Sequence, residues 1–210
     1  MTASENRPKK SIEFWYEFAS PYSYLAAMRV EEIAIAHGVL VEWKPFLLGP
    51  IFKQQGLEDS PFNIFATKGA YMWRDVERVC KELDLNFRKP PKFPQNGLLA
   101  ARLAMCEEVK VQCPKFTQAV FSMQFGGGED ISNFVNIQSI LEGMGLDSEK
   151  AFAQSQSEQV KLALRNQTEQ AVQRGVFGAP TFITSDGELF WGNDRLEQAV
   201  AWAASSGHKS

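Results

Sequence analysis

The sequence predicts an α/β fold in which a β-α-β unit and a closing α-β-β-α unit flank an all-helical stretch. Three observations carry that expectation: apolar and polar residues alternate near both ends, helical periodicity takes over between them, and glycine or proline marks each change of pattern. The 210 residues, 44% hydrophobic and 22% charged, are ample for a buried core.

Taken in order, residues 11–18 (SIEFWYEF) alternate bulky and polar side chains and read as a first strand. Pro21 opens a helix to His37, with Leu25, Met28, Ile33 and Ala36 on one face and Gly38 as its stop signal. Residues 39–45 (VLVEWKP) read as a second strand, after which 46–56 lead away as a loop. Helices are expected at 69–83, 97–109, 114–124, 133–143 and 148–153, with Pro90, Pro91 and Pro94 as a stiff connector. The run Gly126–Gly128 reads as a turn and not a phosphate loop, since no strand precedes it and no Lys-Ser/Thr follows. A long amphipathic helix spans 157–174 and stops at Gly175. Short strands at 181–184 (TFIT) and 188–191 (ELFW) flank the turn Ser185-Asp186-Gly187, and 194–205 form the closing helix. This order is that of a thioredoxin-type domain, residues 11–55 and 157–206, interrupted by a helical insertion domain at 56–156.

Composition removes several classes of function. A net charge of −3 without a basic stripe argues against nucleic acid. The polar start MTASENRPKK lacks a signal-peptide core and no segment has the length of a membrane span, so a cytoplasmic protein is expected. Cys80 and Cys106 fall on helical apolar stripes as buried thiols, and Cys113, before Pro114, is expected in a loop or at a helix edge. The only histidines are His37 and His208, and no metal-ligand cluster can be assembled.

The chemistry-bearing position is the start of the first helix. In a thioredoxin-type fold the reactive sulfur lies there, where backbone N–H groups and the helix dipole favour negative charge. Here the four positions read Ser20-Pro21-Tyr22-Ser23. A hydroxyl forms no disulfide, so thiol–disulfide exchange is excluded, but it can donate a hydrogen bond to a thiolate brought by a ligand. Ser-Pro alone is an ordinary helix cap. A second feature changes the balance: Ala179-Pro180 precede a strand, where a cis proline is expected opposite the first helix, presenting the Ala179 backbone to an extended peptide such as the cysteinyl part of glutathione.

The segments FASPYSYLA, TKGAYMWRD, NGLLAARLA, GVFGAPTF and FWGNDRLE together resemble the 2-hydroxychromene-2-carboxylate isomerase family, which is akin to kappa-class glutathione transferases and the DsbA-like branch of the thioredoxin superfamily. The resemblance runs from Ser11 to Trp202 in the family's order. It implies a glutathione-dependent enzyme of aromatic catabolism, typically a homodimer, with the insertion forming one wall of the site. Carried over residue by residue, it makes Ser20 the serine that stabilises glutathione's thiolate and Lys68 the lysine that reaches the glutathione site. Asn193 and Asp194 match the segment that binds the γ-glutamyl end, and both also suit a helix cap. The family's Asn-x-Pro-Pro stretch is here Asp59-Ser60-Pro61-Phe62-Asn63, so either Asn63 or Asp59 takes the corresponding contact. Among Trp15, Tyr22, Phe46, Tyr71, Trp73 and Trp191, the aromatics available to a conjugated substrate, Tyr22 and Phe46 are selected. The expected activity is a glutathione-dependent isomerisation. The alternatives are a kappa-like transferase or peroxidase acting on electrophiles, and a non-catalytic module that binds an extended peptide.

Overall fold

The computed structural model describes residues 10–205. The opening unit is β1 (Ser11–Tyr16), α1 (Pro21–Ala27), α2 (Val30–Ala36) and β2 (Leu40–Pro45). Eight helices follow: α3 (Leu48–Gln54), α4 (Pro61–Ile64), α5 (Ala66–Glu82), α6 (Leu98–Ala104), α7 (Glu107–Lys110), α8 (Cys113–Phe121), α9 (Phe134–Gly143) and α10 (Ser148–Ser155). The chain closes with α11 (Glu158–Gln173), β3 (Thr181–Thr184), β4 (Leu189–Trp191) and α12 (Leu196–Ser205). The sheet order is β2-β1-β3-β4, with β1 parallel to β2 and the other pairs antiparallel. The parallel pair needs a crossover, which α1 and α2 supply.

Alternation along β1 divides its side chains between two cores. Ile12, Phe14 and Tyr16 enter the larger one, while Trp15 packs on the opposite face with Phe46, Ile51, Ala171, Val176 and Ile183. Across the sheet Phe14 pairs with Phe182, their rings stacked at 5.4 Å. Tyr16 and Phe18 meet Phe121 of α8 at 6.1 and 5.3 Å, and the Tyr16 hydroxyl lies 2.8 Å from Thr117 Oγ1. The sheet and the inserted helices therefore share one apolar core. We propose residues 56–156 as an inserted unit by chain order, not as a separately packed body.

Several boundaries differ from expectation for tertiary reasons. The helix expected over 21–37 breaks between Ala27 and Val30, where Arg29 reaches back to Asn193 and Glu197. The helix expected over 97–109 is interrupted at Cys106, whose backbone is extended (φ −69°, ψ 140°). A π-helical turn, Ser122–Gly126, carries α8 toward the glycine run, where Gly128 has φ +77°. The segment expected as a loop after β2 contains α3, with Pro50 in its first turn. Cys113 is the first residue of α8, at the helix edge as expected, and is buried there against Tyr16. Burial raises all three thiols, Cys80 and Cys106 to about 11, which leaves none poised as a nucleophile near neutral pH.

Among the described residues no group of side chains could hold a metal ion, and no helix is long and apolar enough to cross a membrane. The N-terminal nine residues, His208 and the expected domain end at 206 lie outside the described residues. At the start of α10 Asp147 caps the helix, accepting from Lys150 N at 3.0 Å. Asp147→Ala is expected to lower unfolding free energy by about 1 kcal/mol in a urea titration.

Candidate functional site

At the end of β1 the chain makes a tight turn, closed by Ser20 N donating to Glu17 O at 3.0 Å. Ser20 then caps α1 from an extended backbone (φ −85°, ψ 115°), its Oγ accepting from Ser23 N at 3.1 Å, with Pro21 as the first helical residue. The Ser20 hydroxyl donates to the carbonyl of Ala179, 2.9 Å away, and the Ala179-Pro180 bond is cis. Two segments 159 residues apart thus meet at one point, as the sequence order predicts.

This point lies in a cleft of about 1530 Å³, above the range of roughly 300–1,000 Å³ usual for a small-molecule pocket. One wall is the sheet end, with Glu17, Ser20, Ala179, Pro180, Asn193 and Asp194; the other comes from the α3–α5 region and the stretch before α6. A polar corner around Ser20 therefore faces apolar residues such as Leu48, Phe52, Phe62 and Leu98.

The candidate residues divide. Lys68 lies in the first turn of α5 and lines the cleft, its Nζ 4.8 Å from the Phe65 ring centroid and in no ion pair among the described residues. Tyr22 also lines it and donates to Asp75 Oδ2 at 3.0 Å; burial, then Asp75, holds its phenol well above the usual range. Asp59, not Asn63, faces the cleft. Asn63 donates to Asp59 Oδ2 at 3.0 Å and to Phe93 O at 3.2 Å, so it braces the wall from outside. Phe46 is a correction: it is fully buried against Trp15 in the smaller core, because the backbone after β2 passes behind the sheet before reaching the cleft.

Asn193 and Asp194 lie on a 3₁₀ turn before α12, without the side-chain cap expected of them. Asn193 is nearly buried, its Oδ1 held by Arg29 Nη2 at 3.0 Å, whereas Asp194 stands exposed beside Arg195 at 3.5 Å. Gly192 has φ +113°, and a Cβ there would lie 2.5 Å from Asp194 Oδ1, so the close approach needs glycine.

Two features go beyond the sequence reading. Trp191, available to a substrate there but not selected, is exposed at the cleft and packs its ring on Phe177 at 4.9 Å, and Gly178 leaves room for the indole. Glu17 is 8% exposed, accepts from Ala19 N at 2.9 Å and lines the cleft three residues before Ser20; burial pushes its carboxyl up to about 8, partly offset by the Ala19 N–H. A buried glutamate three residues before Ser20 is a recognisable signal, but alternation in residues 11–18 makes it read as part of the strand.

Strand order, a cis proline and a helix start facing it define a thioredoxin-type protein with serine at the reactive position. A family model described as the DSBA-like thioredoxin domain matches residues 11–201. The 2-hydroxychromene-2-carboxylate isomerase of Sphingobium xenophagum is 30% identical over 189 residues, covering 90% of this chain and 95% of that protein. Glutathione S-transferase kappa 1 of Caenorhabditis elegans is 25% identical over 198 residues, covering 88% and 87%. A solved structure of a 2-hydroxychromene-2-carboxylate isomerase superposes with a TM-score of 0.82 at 23% identity, covering 91% of this chain and 93% of that one. The chain belongs to the DsbA-like thioredoxin family, in the part of it that holds these isomerases and kappa-class transferases, which are enzymes.

Proposed function

We propose that this protein is a glutathione-dependent isomerase of the 2-hydroxychromene-2-carboxylate type. The observation that carries the reading is Ser20: a hydroxyl at the N-terminus of α1, beside the Ala179 carbonyl, where redox relatives of the fold hold a cysteine. The donor set fits glutathione. Ser20 offers one O–H, Ala179-Pro180 an extended backbone edge, Lys68 an unpaired ammonium and Asp194 an exposed carboxylate for an ammonium group. Of the pair Asn63 and Asp59, the contact is assigned to Asp59, which lines the cleft and accepts from Asn63 behind it.

Bound glutathione would supply a thiolate nucleophile that adds reversibly to a conjugated carbon of the substrate. The protein's residues set up that chemistry. Ser20 turns its single donor from Ala179 O to the sulfur, and the positive end of the α1 dipole lies beside it. Lowering a thiol pKa by about two units needs roughly 2.7 kcal/mol, within reach of one charge-assisted hydrogen bond and a helix terminus. Tyr22, on the same cleft, is assigned to the substrate, with the apolar wall excluding water around it. The cleft volume leaves room for glutathione and a second small molecule together. Cytoplasmic location, a place in aromatic catabolism and assembly as a homodimer belong to the same proposal and rest on the resemblance; sedimentation tests the last.

A kappa-like transferase is the second reading, favoured by the transferase relative's similar coverage of the chain. It differs in consuming glutathione, which a stoichiometric thiol assay during turnover of a 2-hydroxychromene-2-carboxylate distinguishes. Calorimetric titration tests the common ground. Glutathione is expected to bind the wild type, and Lys68→Met to weaken binding about tenfold, or ~1.4 kcal/mol. Wild-type protein that binds no glutathione would remove both enzyme readings and leave a peptide-binding module.

A further inference from the structure

Glu17 is the one buried carboxyl on the cleft wall, and its surroundings leave it a specific task. The side chain is 8% exposed, and no described cation forms an ion pair with it. Oε2 is occupied by the Ala19 N–H at 2.9 Å. Oε1 lies beside Gly97, where an added Cβ would stand 3.1 Å from it and 2.9 Å from Phe18 Cβ; only glycine lets this wall close so tightly. Both Glu17 and Gly97 line the same cleft as Ser20.

We propose that Glu17 is the proton carrier of this cleft, holding one exchangeable proton on Oε1 and trading it with a basic oxygen on a conjugated, anionic substrate. The step balances within the site. The Oε1–H bond breaks, its electron pair stays on the carboxylate, and the proton passes to the substrate oxygen; the reverse transfer restores the acid and leaves no net proton consumed. This inference rests on the proposed isomerase reading, which needs a substrate oxygen to gain and lose a proton as conjugation is interrupted and restored.

Other groups around the cleft do not take this part. Tyr22 of α1 is bonded to Asp75 of α5, and Lys68 and Tyr71 lie on the same helix. Glu58 and Asp59 precede α4, and Asp194 and Arg195 precede α12. Burial raises the Glu17 carboxyl and the Ala19 N–H partly offsets the rise. An acid so placed is neutral at pH 7 and gives up its proton within reach of neutrality, the condition for efficient general acid–base work.

Glu17→Gln keeps the shape and the Ala19 contact but carries no exchangeable acid proton, and Glu17→Asp keeps the acid on a shorter arm. Infrared difference titration of the ligand-free wild type is expected to show a protonated-carboxyl band vanishing near pH 8, absent from Glu17→Gln and present in Glu17→Asp. With glutathione and a 2-hydroxychromene-2-carboxylate as probe, Glu17→Gln is expected to lose about 10²–10⁴-fold in kcat/KM. It should also lose the alkaline limb of the pH profile, while Glu17→Asp keeps the limb at a reduced rate. Glutathione affinity, measured separately by calorimetry, should stay within about threefold of wild type, well under the tenfold that one lost direct contact costs. A Glu17→Gln protein with the wild-type rate and profile, or with the carboxyl band intact, overturns the assignment alone. Absence of glutathione binding to the wild type overturns it together with the proposed function.

Discussion

Ser20→Ala is expected to raise the pKa of glutathione's thiol in the complex by about one to two units, and to slow turnover at pH 7 by about ten- to a hundredfold. The size follows from what is removed. A hydrogen bond to a charged acceptor contributes about 1.5–3 kcal/mol net, and Ser20 supplies one such donor at the cap of α1. The N–H dipoles of that helix remain, so the variant keeps part of the effect. Ultraviolet absorbance of the thiolate, followed against pH in the complex, reads the shift directly. The same substitution removes the bond to Ala179 O and the acceptor of Ser23 N, which costs about 1 kcal/mol of stability as a lost cap. Ser20→Gly separates the two roles, since glycine costs a helix cap only a few tenths of a kcal/mol yet carries no hydroxyl for the sulfur. A thiol pKa unchanged in Ser20→Ala would reduce Ser20 to a helix cap that fastens the Ala179 turn.

The parts of the molecule that local patterning controls were legible in the sequence. Successive side chains of β1 enter cores on opposite faces of the sheet, Pro21 and Ser20 mark a helix start by chemistry that acts within four residues, and Ala179-Pro180 stands immediately before β3. What was missed depends on partners distant in sequence. The helix over 21–37 looks continuous until Arg29 is seen holding Asn193 and Glu197. Phe46 is as aromatic as Tyr22, and only the path of the chain behind the sheet sends one to the core and the other to the cleft. Asp59 and Asn63 are equivalent in sequence, and only the fold shows Asp59 lining the cleft while Asn63, in the short helix α4, bonds Phe93 O. Glu17 was hidden because alternation was extended to Phe18, whereas β1 stops at Tyr16 and the next residue turns inward.

That inward turn makes the stability of the protein depend on pH in a direction opposite to most carboxylates. Glu17 titrates about 8 in the fold against 4.5 when free, so between those values the folded chain holds a proton that the unfolded chain has released. Its contribution is fully present below about pH 4.5 and is lost as pH rises through about 8. Over that window the loss amounts to roughly 3–5 kcal/mol, taking 1.36 kcal/mol per pKa unit. Glu17→Gln stays neutral throughout and escapes it. Urea unfolding of both proteins at pH 5, 7 and 9 should therefore show the variant gaining on wild type by about that amount as pH rises. Other carboxylates do not blur the comparison. Asp130, held low by its bonds from Ser132, and Glu158, held low by Lys161, are common to both proteins and cancel in the difference. Parallel stability curves would mean that Glu17 is charged in the fold, with water reaching Oε1 past Gly97. A converging or crossing pair would mean that the fold keeps one acid proton in the wall of its cleft, three residues from Ser20, at a thermodynamic cost that grows with pH.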